Sequence, residues 1–140
     1  MADTFTKAAR SRIMAAVKSK DTAPEMTVRR LIHSLGFRYR LHVRSLPGAP
    51  DLVFPRLRKT IFVSGCFWHM HGCGRCRIPA VRRRYWTAKL QRNVARDKRV
   101  TRALRRAGWG VLVIWECQTL AAGRARLEAR VWKFLGGAEP

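Results

Sequence analysis

Between Gly65 and Pro79 the chain loses every apolar periodicity and gathers Cys66, His71, Cys73 and Cys76 among glycines. A 15-residue stretch of that kind needs something other than an apolar core to order it. A metal ion would do so. Cys66, His71 and Cys73 lie within eight residues, and Cys117 sits just past the apolar run Val111-Leu112-Val113-Ile114-Trp115. Four soft nitrogen and sulfur ligands in tetrahedral array are what structural Zn²⁺ takes. Such a site would constrain the fold, because a mixed sheet would have to bring the end of that run back beside the loop. Two alternatives stay open on spacing alone. Cys66 and Cys117 could be buried thiols with His71 at the surface, or Cys73-Gly74-Arg75-Cys76 could supply two ligands and displace His71, giving a Cys₄ site. A redox C-x-x-C normally opens a helix after a strand, whereas this one runs on to Ile78-Pro79.

The rest of the chain reads as alternating helices and strands. Lys7 to Lys20 is a basic segment with apolar spacing for a short helix. Thr22-Ala23-Pro24-Glu25 has the form of a capping box, and Val28, Leu31, Ile32 and Leu35 give one apolar face before Gly36 ends the helix. Phe37, Tyr39, Leu41 and Val43 alternate with Arg38, Arg40, His42 and Arg44, the period of a half-buried strand. Asp51 to Phe54 and Thr60 to Val63 follow as two further strands of a meander. A long basic helix is expected from Arg82 to Ala107, closed by Gly108. The 111–115 run suits a strand covered on both sides, and Leu127, Val131 and Leu135 mark a last helix. The expected order is α-α-β-β-β-α-β-α.

The chain's 140 residues suit one domain with a real core. Its 30 Lys+Arg against 8 Asp+Glu leave a formal charge of +22, which points to a polyanionic partner. No run approaches the ~20 apolar residues of a spanning helix, so nucleic acid is favoured over a membrane. From Arg75 to Arg106 thirteen Lys/Arg face the single acid Asp97, a stripe suited to phosphates. Met1-Ala2-Asp3-Thr4-Phe5 lacks the form of a secretory signal, so a reducing cytoplasm is the expected compartment. There, four cysteines suggest metal or free thiols before disulfides.

Arg10-Ser11 with Met14, Asp21 to Glu25, Ser45-Leu46-Pro47-Gly48-Ala49-Pro50-Asp51, and Ile61-Phe62-Val63 leading into Gly65-Cys66-Phe67-Trp68-His69 occur in order. Tyr85-Trp86, Lys89, Asn93-Val94, Arg96-Asp97 and Trp115-Glu116-Cys117 follow. Together these segments resemble the very-short-patch (Vsr) DNA mismatch repair endonucleases over nearly the whole chain. The resemblance implies an α/β, restriction-endonuclease-like core, a mixed sheet flanked by helices, with one structural zinc site. It implies zinc on Cys66, His71, Cys73 and Cys117, leaving Cys76 outside. It also implies Mg²⁺ held by Asp51 and the Val63 carbonyl, and an active site on Asp51, Glu25 and His69. Ser64 stands where well-known members carry a second active-site histidine, and Val63 replaces a threonine. Residues 1–20 would be an N-terminal DNA-contacting segment and 21–140 a single endonuclease domain. Met14, Phe67, Trp68 and Trp86 would wedge into a base step, while Lys89 and Asn93 reach base edges.

Several of these residues have plainer readings. An Asp after Pro50 commonly caps a turn, and a Glu three residues after Thr22 is what a capping box requires. His69 can take a proton near neutral pH, whereas a Ser64 hydroxyl cannot, although it can bind a phosphate oxygen. His33 and His42 fall on polar faces and are read as solvated. The function expected is a Mg²⁺-dependent endonuclease nicking one strand of double-stranded DNA 5′ of the thymine at T:G mismatches. It would act as a monomer at the bacterial nucleoid, alone or with repair proteins. A duplex-nicking enzyme with little mismatch preference and a non-catalytic zinc-containing DNA-binding module are the alternatives.

Overall fold

A computed structural model describes residues 21–73 and 78–136. The basic 1–20 segment, with Met14, lies outside the described residues, as does Cys76. Helix α1 (Ala23–Ser34) starts where the sequence places it. Thr22 is the N-cap, and its hydroxyl accepts from the Glu25 N–H at 3.4 Å. At the other end Gly36, at φ +94°, donates to His33 O and Phe37 N–H reaches Ile32 O. These two bonds close the helix as a Schellman motif, which a left-handed glycine allows without a Cβ clash.

Four strands follow in the order β1 (Arg40–Leu41), β2 (Leu52–Phe54), β3 (Lys59–Ser64) and β4 (Gly110–Trp115). β1, β2 and β3 pair antiparallel as the expected meander, while β3 and β4 run parallel, with Ser64 opposite Trp115. The sheet is therefore mixed. The first strand is much shorter than the alternation over 37–44 suggests. His42 takes a left-handed φ of +48°, which turns the chain out of the ladder, and both β1 residues are exposed. Phe37 and Tyr39 instead pack their rings on Trp132 and Phe54, at 5.8 and 6.2 Å.

Two helices complete the described structure. Helix α2 (Arg83–Arg106) is the long basic helix, closed by a second Schellman pair, Gly108 N–H to Arg105 O and Trp109 N–H to Leu104 O. Two short 3₁₀ turns, Glu116–Thr119 and Ala121–Gly123, lead into α3 (Arg124–Phe134). One sheet face presents Leu52, Phe54, Ile61, Leu112 and Ile114 to Val28 and Ile32 of α1 and to Leu127 and Val131 of α3. Each such aliphatic contributes roughly 1.5–3 kcal/mol by leaving water. The opposite face, carrying Phe62, Ser64, Val113 and Trp115, looks across a cavity at Val100, Thr101 and Arg105 of α2. The parallel β3–β4 pair brings the C-terminal ends of both strands to one edge, and that edge carries the site.

Candidate active site

Asp51 immediately precedes β2 and lies beside the end of β3. Its Oδ2 accepts from the Val63 N–H at 2.7 Å, so backbone geometry holds the carboxylate against β3. Burial pushes the Asp51 carboxyl up to about 7; the Val63 hydrogen bond opposes this, Glu25 adds to it, and the Arg29 charge again opposes it. Burial and the neighbouring Glu25 disfavour a bare carboxylate at Asp51, and a hard divalent cation would stabilise that charge. The donor set fits Mg²⁺: carboxylate oxygen at Asp51, with the Val63 peptide and the Ser64 hydroxyl alongside. Glu25 is 2 % exposed, behind Asp51. It serves its helix, since Oε2 accepts from the Asp21 N–H at 2.7 Å, and it also lies against the site. Only half of the expected capping box forms: Thr22 caps the helix, but Glu25 takes the Asp21 N–H instead of that of Thr22.

A cleft of about 700 Å³ opens over Asp51, with Val63, Ser64, His69 and Asp97 in its walls. Ser64, 8 % exposed, also walls a neighbouring cavity of about 630 Å³ that runs beneath α2. His69 Nδ1 pairs with Asp97 Oδ2 across the cleft. A carboxylate can only accept, so Nδ1 carries the proton and Nε2 is left as the atom able to take one. Asp97, marked in the sequence only as part of the Arg96-Asp97 segment and as the lone acid of the stripe, was given no role in the site. It is nonetheless the one acid of the basic stripe, spaced with Trp86, Lys89 and Asn93 along one side of α2.

That side of α2 meets the 65–73 loop residue by residue. Phe67, Trp68 and Trp86 form a half-buried aromatic group with ring centroids 5.0 to 5.9 Å apart, and Tyr85 joins Trp86 at 5.3 Å. Lys89 Nζ lies over the Trp68 and Trp86 rings at 5.4 and 5.7 Å, a cation–π arrangement. Asn93 Nδ2 donates to Trp68 O at 3.1 Å, tying the loop to the helix. The rings pack on one another at the surface, and none joins the main core cluster.

The ligand atoms of Cys66, His71, Cys73 and Cys117 all lie within 4.8 Å of one another. Around one tetrahedral Zn²⁺, ligands at about 2.0–2.3 Å stand roughly 3.5–4 Å apart, so this S₃N set fits zinc. The loop wraps Cys66 through backbone bonds, including His71 N–H to Cys66 O at 2.9 Å. Cys117 N–H reaches Cys66 Sγ at 3.4 Å, and Cys117 Sγ stands 3.6 Å from His71 Nδ1. The His71 ring stacks on Trp115 at 4.3 Å, which fixes its orientation. Burial pushes the Cys66 thiol up to about 12, and a bound metal would favour its thiolate form.

The largest departure from the sequence reading is His42. It is half-buried, with Nδ1 3.7 Å from Asp51 Oδ1 and Nε2 3.5 Å from Glu25 Oε1. The same left-handed turn that ends β1 places it there. Alternation assigned it to a solvated face because the pattern assumes that the strand continues. Arg29, 9 % exposed, was passed over as well. His33 is exposed, as expected.

Comparison with known proteins defines the class first. The "Type II nicking enzyme V.XorIIP" of Xanthomonas oryzae pv. oryzae is 47% identical over 135 residues, covering 96% of this chain and 98% of that protein. The "DNA mismatch endonuclease Vsr" of Escherichia coli K12 is 44% identical over 117 residues, 84% of this chain and 75% of its own. The "Type II nicking enzyme V.NaeI" of Lentzea aerocolonigenes is 40% identical over 121 residues, 81% of this chain and 70% of its own. On these likenesses the protein is a DNA endonuclease, and its partner is DNA. A family model described as "DNA mismatch endonuclease Vsr" matches residues 2–75, and the chain belongs to that family. Among the described residues no helix is long and apolar enough to cross a membrane.

Proposed function

We propose that the chain nicks one strand of double-stranded DNA 5′ of the thymine at T:G mismatches, in the manner of very-short-patch repair. The observation that carries this reading is the single cleft holding Asp51, Val63, Ser64 and the His69–Asp97 pair, next to the aromatic group. Mg²⁺ would be held by Asp51 and the Val63 carbonyl, supplying Lewis-acid compensation for charge on the phosphate and leaving oxygen. His69 Nε2 takes the proton of the attacking water, and Asp97 holds the ring in the tautomer that allows it. Glu25 orders the far side of Asp51. The Ser64 hydroxyl offers the phosphate a hydrogen bond where an imidazole would offer a proton acceptor.

Phe67, Trp68 and Trp86 act as the wedge set. Their mutual packing at the surface supports this, because a preformed aromatic face enters a base step with little side-chain entropy to lose. Met14 adds a wedge from the 1–20 segment, which contacts DNA, while 21–140 forms the endonuclease domain on a restriction-endonuclease-like core. Lys89 and Asn93 leave their loop contacts to reach base edges. The Cys66, His71, Cys73 and Cys117 set holds structural Zn²⁺, and the enzyme works as a monomer. Nicking assays with Mg²⁺ or EDTA on paired and T:G duplexes test the reading. Membership of an endonuclease family sets aside the non-catalytic zinc module. A second reading, duplex nicking with little mismatch preference, is favoured by Ser64 and predicts equal rates on the two duplexes.

A further inference from the structure

All three described helices run from the cleft edge of the sheet to the opposite edge. α1 starts at Glu25 beside Asp51, α2 starts where Trp86 packs on the 65–73 loop, and α3 follows the 3₁₀ turns that leave β4. They end around the β2–β3 turn. Arg58 Nη2 donates to Ala107 O after α2 at 2.7 Å, Lys59 Nζ donates to Phe134 O of α3, and Arg38 Nη1 donates to His33 O of α1. Cations are favoured at helix C-termini, where carbonyl dipoles converge, and that accounts for these three. It does not account for Arg40 on β1 or Arg56 in the turn, both exposed, which with Arg38 line a groove of about 600 Å³. Arg105 and Arg106 of α2 add two more exposed cations at the same edge. The far edge also lacks counter-charge. The described ion pairs fall on Asp21, Glu25, Asp51 and Asp97, all beside the cleft. Glu116 follows β4 at the cleft edge, and Glu128 lies on the second turn of α3, so no acid among the described residues stands at the far edge.

We propose that this far edge is a second DNA-binding surface: it takes a duplex segment other than the one lying over the cleft, so that one chain bridges two segments. One duplex cannot touch both edges. β3 sets its first residue roughly 17 Å beyond Ser64, and α2 is roughly 36 Å long. A bound duplex engages about 6–10 phosphates, whereas the chain carries 30 Lys+Arg, so the cations at the far edge are surplus to the cleft. Their spread selects a duplex over an acidic peptide. A peptide seated in the groove would reach Arg38, Arg40 and Arg56 and leave Arg58, Arg105 and Arg106 unused, because these last belong to the sheet layer and to the helix on its other face. Two phosphate backbones reach all of them, and such contacts need charge and not base sequence. The inference rests on a duplex lying over the Asp51 cleft, as the proposed nicking requires, and not on a mismatch preference.

The test weighs complexes of the full chain by light scattering at low salt, without Mg²⁺ so that nothing is cut, using an excess of a T:G duplex short enough for one chain. The wild type gives the mass of one chain with two duplexes. Arg40→Glu with Arg56→Glu gives one chain with one duplex. Its affinity for the second duplex falls about tenfold or more, while nicking at saturating DNA in Mg²⁺ stays within about twofold. Arg40→Lys with Arg56→Lys, which keeps both charges, holds two duplexes. Should the double reversal fail to fold by circular dichroism, Arg40→Gln with Arg56→Gln reads the same loss. One duplex per wild-type chain would overturn the proposal, as would two chains holding two duplexes, or a second duplex kept by the double reversal. Tighter binding of fluorescent polyglutamate than of paired duplex to the one-duplex complex would assign the surface to an acidic protein and overturn it as well. Wild-type nicking in Mg²⁺ is scored separately, so a failure of the cleft reading shows there and not in the mass.

Discussion

In the proposed mechanism the chemistry rests on a pair of side chains from separate elements, His69 and Asp97. The Asp97 carboxylate fixes which nitrogen of His69 carries the proton, so losing either partner disables the same step. His69→Ala is expected to lower kcat by about 10²–10⁴-fold, the ordinary worth of a positioned general base. Asp97→Asn should lower kcat while leaving the DNA affinity within about twofold, measured by single-turnover nicking beside a binding isotherm. The opposite pattern, kcat kept and affinity lost, would assign Asp97 to DNA contact instead. Asp51→Asn should abolish nicking at every Mg²⁺ concentration tried while DNA binding persists. His69 and Asp51 were singled out in the sequence, Asp51 only on the strength of the family resemblance. Asp97, Arg29 and His42 were not, because a lone acid in a basic helix and a histidine in an alternating segment look solvated until a second element packs against them.

The turn from Ser45 to Pro50 sets where Asp51 enters β2. Gly48 sits there at φ +74°, and a Cβ added to it would stand 2.4 Å from Val100 Cγ1 of α2 and 3.4 Å from Phe62 Cε1. Gly48→Ala is therefore expected to destabilise the fold by about 1–3 kcal/mol through the clash and the strained backbone, read as a fall in Tm. Nicking should fall further than stability explains, because the turn positions Asp51; an unchanged Tm would remove the argument. At this scale the sequence was largely readable. The Thr22 N-cap, the two Schellman glycines and the apolar run of β4 are local signals, and local hydrogen bonding decides them. The long first strand failed because His42 adopts a left-handed backbone that no periodicity reports. The gathering of Cys66, His71, Cys73 and Cys117 was within reach of spacing only because β3 and β4 are parallel neighbours, which puts Cys117 beside the loop that follows Ser64.

Across the whole molecule, two long-range effects follow from composition and metal. With a formal charge of +22, DNA binding should be dominated by phosphate contacts. Raising salt from 50 to 200 mM is then expected to weaken affinity by about 10³-fold or more, with paired and mismatched duplexes affected alike. A flat salt dependence would contradict the assignment of the α2 stripe. If the Cys66, His71, Cys73 and Cys117 cluster holds zinc as proposed, the ion orders the 65–73 loop and, through it, His69 and the aromatic face, so Cys117→Ala should bind no zinc, melt at lower temperature and lose nicking together. Full zinc content with an unchanged melt in that variant would refute the ligand assignment. The most direct measurement remains a strand-specific nicking assay on two duplexes differing only in one T:G pair. In Mg²⁺ the account predicts a nick 5′ of the mismatched thymine, at least tenfold faster than on the paired duplex and abolished by EDTA; equal rates on both, or cleavage that survives EDTA, would contradict it.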